Sequence, residues 1–318
     1  MPDSGPIADL SYRGYQDGMA KKSDRWKVIA RRTRNQAFTK RSYWWLVIGS
    51  SFHYIMFMFA AYVITTVVAV GGQENLAAKE FFDRVVWPDQ YLSGFQVGHF
   101  FLMAITLLVG AGSIANDHRS NALLVYLARP CTRKDYLVGK WMGLFVPVFV
   151  ALAVPAAVFT LYAGLNFREY GFFTDDPWMI PKVFIGMALV AAIQTSYVMG
   201  VSALFRQGRF AGAAYAGVYV LSGLIGSVVT GIARGGELGE GIRRVLDTIH
   251  YCSVYGGLEG VFKLVINSGG SSPFESSARD GGIIPPPDLW VMFVVVLLPL
   301  TLLMFAAWRK VRAVEVVG

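Results

Sequence analysis

Charge is scarce in this chain. Only 16% of its 318 residues are Asp, Glu, Lys or Arg, and the mean hydropathy is +0.46; an ordinary soluble domain carries about a quarter charged residues. Too little polar sequence is present to coat a water-soluble fold of this size. Cysteine is rarer still. Cys131 and Cys252 are the only two, which excludes a disulfide framework and a thiolate metal cluster. The histidines are His53, His99, His118 and His250. They fall in different apolar runs and linkers, and predict no metal site. No GxxxxGK[ST] phosphate loop, HExxH or GxSxG motif occurs. The chain is therefore not expected to be an enzyme or to hydrolyse ATP itself.

What is abundant is long apolar sequence. Six runs, at about 44–70, 92–115, 138–163, 179–204, 210–230 and 289–308, are rich in Val, Leu, Ile, Phe, Ala and Gly and nearly free of charge at their centres. A helix of about 20 apolar residues crosses the hydrocarbon core of a bilayer. The expected fold is all-α: a polytopic membrane protein with six transmembrane helices. The first run is too long for the core of a cleaved signal peptide and is expected to be retained.

The sparse charges then set direction. Residues 1–43 hold ten Lys/Arg against four Asp, and segment 116–140 holds five basic and two acidic residues. Arg206 and Arg209 sit in the next alternate turn, and Arg309, Lys310 and Arg312 follow the last run. The intervening segments lean the other way: 71–91 has two basic and four acidic residues, 164–178 has Arg168 against Glu169, Asp175 and Asp176, and 231–288 has five basic and seven acidic. This is the positive-inside pattern, and it places both termini in the cytoplasm of a cell inner (plasma) membrane protein. It also accounts for most of the net charge of +8, so no nucleic-acid partner is expected. Cys131 is expected inside and Cys252 outside.

Three segments outside the runs carry further information. Residues 1–43 read as a polar tail followed by an amphipathic helix on the inner surface. Trp26 and Phe38 supply its apolar side, and Arg31, Arg32, Arg34, Lys40 and Arg41 are placed to meet lipid headgroups. In 231–288, Ile242, Val245, Leu246 and Ile249, then Leu258, Val261, Phe262 and Val265, recur at helical spacing around a Tyr-Gly-Gly break. Two short amphipathic or partly re-entrant helices on the outer side are expected, with their charges on a wet face. Pro147 and Pro155 are expected to bend or locally unsatisfy the third span, and Gly212, Ala216, Gly223 and Gly226 to give the fifth span a close-packing surface. His53, His99 and Gln194 are polar residues within or near spans and are candidates for a transport path. No pair of buried carboxylates is expected, which disfavours a proton- or sodium-coupled carrier.

The stretch "SIANDHRSNALLVYLARPCTRKDYLVGKWMG" (113–143) resembles the junction between the second and third spans of ABC-2 type transporter permeases. The resemblance rests on an acidic residue, a short Leu-rich helix, an Arg-Pro break, a basic residue and a Gly-Lys entering the next span. Here these are Asp117, then Leu123, Leu124 and Leu127, then Arg129 and Pro130, then Arg133, then Gly139 and Lys140. Asp117 is a shortened version of the Glu that many members carry nearby. The basic helix before span one, the long outer segment before span six and the closing "RKVRAVEVVG" are similar too, so the likeness runs from about residue 25 to the end. It implies the membrane subunit of an ATP-driven exporter. It further implies a second permease copy or a homologous permease, and two copies of a cytoplasmic ABC ATPase that bind the ATP and Mg. No cofactor is expected on this chain. Asp117, Leu123, Leu124, Leu127, Arg129, Pro130, Arg133 and Lys134 are then the expected coupling residues. The leucines would face an ATPase groove and the cations its acidic rim or lipid phosphates. The alternative reading is an anchoring subunit of a larger membrane complex with no transport path.

Overall fold

The computed structural model describes residues 25–68, 81–122, 132–173, 176–235, 239–269 and 284–311. These fold into helices, with no strand among the described residues. The elements are α1 (Arg25–Phe38), α2 (Arg41–Ser50), α3 (Phe52–Val63), α4 (Trp87–Gly110), α5 (Ala115–Arg119), α6 (Arg133–Asn166), α7 (Met179–Leu204), α8 (Gly208–Gly235), α9 (Glu240–Tyr251), α10 (Val254–Ile266) and α11 (Leu289–Lys310). Five of them, α4, α6, α7, α8 and α11, are long and apolar enough to span a bilayer. The first predicted run is not one helix. It is α2 followed by α3, bent by 48° at Ser51, and counting the pair as one span gives six.

The third span holds the two prolines without ending. α6 runs for 34 residues, opened by a capping box in which Thr132 and Asp135 satisfy each other's backbone N–H. Pro155 has no N–H for the carbonyl of Ala151, and the Ser50 hydroxyl lies 3.4 Å from that oxygen. Tyr43 donates to the carbonyl of Pro147 at 2.8 Å. The bent first span thus supplies donors to the proline-bearing third.

Close packing sits elsewhere than expected. A Cβ on Gly212 would make ordinary contact with Ala111 at 3.4 Å and Leu107 at 3.9 Å, one on Gly226 would meet Ser253 at 3.4 Å, and one on Gly223 would face open space. The tight approach is on α6, where a Cβ on Gly139 would lie 2.7 Å from the Trp26 carbonyl and one on Gly143 would lie 2.8 Å from the Ala30 carbonyl. Small residues let two helix backbones touch, and here they seat α1 against the start of α6. The expected surface segment is helical as α1, and its buried Ile29 and Ala37 pack it onto the bundle.

One end of the bundle gathers α1, α5, the start of α6, the α7–α8 turn and the end of α11. Ile29, Ile114, Tyr136, Leu137, Met199, Ala203, Ala307 and Val311 form its core. At the opposite end α9 and α10 fold back into the bundle. Val254 N–H donates to Ser222 Oγ at 3.2 Å, so the turn between them reaches the middle of α8. α10 buries Leu258 and Phe262. α9 leaves Ile242 and Val245 exposed. The two short helices expected in 231–288 are thus present as α9 and α10, with α10 packed into the bundle.

Candidate functional site

The Gly-Lys end of the basic segment is where chemistry is concentrated. α4 ends at Gly110, and α5 follows after one irregular turn. Ser202 of α7 fastens that turn: its Oγ accepts from the N–H groups of Ile114 and Ala115, each at 3.1 Å, and donates to Ala111 O at 2.8 Å. Asn116 fastens it to the next span, its Oδ1 accepting from Gly208 N–H at 3.1 Å. Asp117 fastens it to α6. One oxygen of its carboxylate takes the Lys140 ammonium at 2.7 Å and the Tyr136 hydroxyl at 2.6 Å. Lys140 also donates to Ser113 O at 2.9 Å. A five-residue helix is thereby braced on three spans at once. Burial pulls the His118 imidazole of α5 below its ordinary pKa, opposed in part by the Phe205 carbonyl and Asp117.

Of the expected coupling residues, Asp117 is half-buried and faces inward on Lys140 and Tyr136. Arg133 and Lys134 are exposed at the start of α6. Leu123, Leu124, Leu127, Arg129 and Pro130 lie outside the described residues. Of the membrane-surface set, Arg31, Arg32 and Arg41 are exposed. Trp26, Arg34 and Phe38 are half-buried, and Lys40 donates to Leu108 O at 3.0 Å. Sequence reasoning missed Ser202, Asn116 and Tyr136, which carry most of the bracing. Serine, asparagine and tyrosine at span ends are too common to stand out.

The opposite end holds a second polar cluster that the sequence reading placed wrongly. Glu259 and Lys263 do not lie on a wet face. Both are 2% exposed and pair at 2.8 Å. The same carboxylate accepts from Gln96 Nε2 at 3.0 Å and meets His250 Nε2 at 3.3 Å, and His250 also meets the Thr230 hydroxyl. Lys263 donates to Ile284 O at 3.2 Å. An i,i+4 pair leaves no trace of burial in a sequence, because the same spacing serves an exposed helix face. Asp89 is likewise buried and bonded to Ser268. Buried carboxylates are thus present, contrary to expectation, but each is held by a polar partner.

The three path candidates are only partly brought together. His99 stacks on Tyr255 with 4.2 Å between ring centroids and faces Tyr219 at 6.4 Å. Tyr219 neighbours Tyr215 at 6.1 Å, and Gln194 lies beside Tyr215. His53 stands apart, against Tyr54 and Gln90, roughly 13 Å along α4 from His99 at 1.5 Å per residue. His250 also reaches Tyr255, at 6.2 Å, so two histidines assigned to separate regions share one aromatic neighbour. Among the described residues no group of three or more metal-ligating side chains occurs.

The described residues thus form a helical bundle with five helices and one bent pair long and apolar enough to cross a membrane, a basic end braced through a short linker helix, and a pair of short helices folded back at the other end. Residues 89–309 match the family model for the ABC-2 family transporter protein, and the chain belongs to that family. No curated protein matches it. It is a multi-pass membrane protein and a permease-type component of an ABC transporter.

Proposed function

We propose that this chain is the permease subunit of an ATP-driven exporter, working as a pair with a second permease copy or a homologous permease. Two cytoplasmic ABC ATPase subunits carry the ATP and Mg and supply the energy, and this chain is not itself an enzyme. Both termini and the 116–140 segment face the cytoplasm of the plasma membrane, and α1 also touches lipid headgroups. The observation that carries this reading is the brace on α5. Asp117, Asn116 and Ser202 join the start of the 116–140 segment to α6, α8 and α7, so a push on that segment moves three spans together. A linker serving only topology needs no such fastening. The 123–131 stretch, with Leu123, Leu124, Leu127, Arg129 and Pro130, is the docking element for the ATPase, and Arg133 and Lys134 flank it.

The test is mild extraction from native membranes with a tag on this chain. A soluble P-loop ATPase should co-purify in equimolar amount, and the isolated chain should hydrolyse no ATP. An isolated complex without any ATPase, in which the chain only anchors other subunits, would overturn the reading.

A further inference from the structure

Between α7, α8 and α11, under the α9–α10 turn, lies a crevice of 590 Å³. Its wall includes Ile193, Tyr197, Tyr215, Val218, Leu258 and Leu302, and no charged residue contributes to it. Val218 and Leu302 are more than half exposed, so the crevice opens sideways at membrane depth. Concave sites of this volume hold drug-sized or lipid-like molecules.

The crevice has a polar corner. Tyr215 forms part of its wall and is 3% exposed. Its hydroxyl lies within reach of the Gln194 amide, which is fully buried outside the crevice lining, but no well-formed hydrogen bond closes between them. Leaving a buried polar group poorly paired costs up to about 1–3 kcal/mol, so the phenol in the crevice wall favours an occupant with a polar group. Pro299 and Val295 line the opposite wall. Pro299 has no N–H to offer the Val295 carbonyl, which adds an acceptor.

We propose that this crevice is a binding site for an uncharged amphiphile, its hydrocarbon part along the apolar wall and its ester carbonyl or hydroxyl on Tyr215. A phenol both donates and accepts, so it satisfies a neutral polar head without a counter-charge. An ionised head would be desolvated there with no opposite charge to meet it. One end of the crevice reaches Leu204 and Phe205, near the Ser202 anchor of the brace, but its occupancy does not depend on the ATPase pairing.

The experiment uses the full chain in nanodiscs and a diacylglycerol bearing a diazirine on its acyl chain, with the matching phosphatidate as the charged probe. Diacylglycerol should label residues of the crevice wall, and phosphatidate should compete at least ten-fold more weakly. Tyr215→Phe should weaken binding about three- to ten-fold, the equivalent of one hydrogen bond. Ala214→Trp should abolish labelling by filling the crevice. Val218→Trp, at an exposed position, gives the same block where Ala214→Trp fails to fold. Equal labelling by both probes, spread over the exposed faces of α8 and α11 and unmoved by Tyr215→Phe and Val218→Trp, would overturn the proposal.

Discussion

Replacing Glu259 by Gln should damage the protein more than replacing Glu259 and Lys263 together by Gln and Met. The pair is 2% exposed on both sides and 2.8 Å apart. Glu259→Gln leaves the Lys263 ammonium buried with neutral acceptors alone, the amide oxygen at 259 and the Ile284 carbonyl, and no counter-charge. Breaking a buried pair from one side costs about 3–5 kcal/mol, because the orphaned charge keeps its desolvation penalty. Adding Lys263→Met removes that charge. Gln at 259 still accepts from Gln96, and the remaining deficit is the Ile284 carbonyl, about 1 kcal/mol. The assay is thermal unfolding in nanodiscs, paired with thiol labelling of Cys252, exposed in the turn between α9 and α10, in a Cys131→Ser background. The single variant should melt several degrees lower and change Cys252 reactivity, and the double variant should return both toward wild type. Equal losses in the single and double variants would show that the ion pair does not hold α10 in place.

Other consequences follow from the opposite end. Gly139→Val pushes a side chain into the Trp26 carbonyl, 2.7 Å from the Cβ position, so α1 should detach and trypsin should cut at Arg31 and Arg32 several-fold faster. Ser202→Ala strips the partner from two backbone N–H groups and should cost about 1–3 kcal/mol in unfolding free energy. His118 is held below its ordinary pKa by burial, so the unfolded chain takes up a proton first. That contribution to stability is present above about pH 6.5 and is lost as pH falls through it. His118→Gln should flatten this part of the pH–stability curve.

Much of the fold was legible because membrane crossing imposes a strong pattern. Run length and absence of charge located every span, and Lys/Arg asymmetry grouped the segments that meet around Ile114 and Val311. The break at Ser51 was not legible. No proline marks it, and although Gly49 lies two residues upstream, a Gly-Ser-Ser run and a Ser51 hydroxyl bonding back to Val47 O are features that many unbent helices share. The burial of Glu259 and Lys263 was hidden for a related reason: charge in sequence signals solvent unless the partner is known, and two of the partners, Gln96 and the Ile284 carbonyl, come from distant parts of the chain. The basic segment drew attention to the chain around α5 and the start of α6. Its braced beginning depends on Ser202 and Gly208, far along the sequence, and on a tyrosine whose hydroxyl reaches back 19 residues to Asp117.

The central claim is that force from a separate ATPase enters through the 116–140 segment and passes to the spans through Asp117. The most direct measurement compares ATPase co-purification and substrate-free hydrolysis in wild type, Leu124→Asp and Asp117→Asn. Leu124→Asp should release the ATPase while the bundle's melting temperature is unchanged. Asp117→Asn should retain the ATPase but lose the permease-dependent change in its hydrolysis rate. Retention of the ATPase by Leu124→Asp, together with an unaltered rate in Asp117→Asn, would contradict the account.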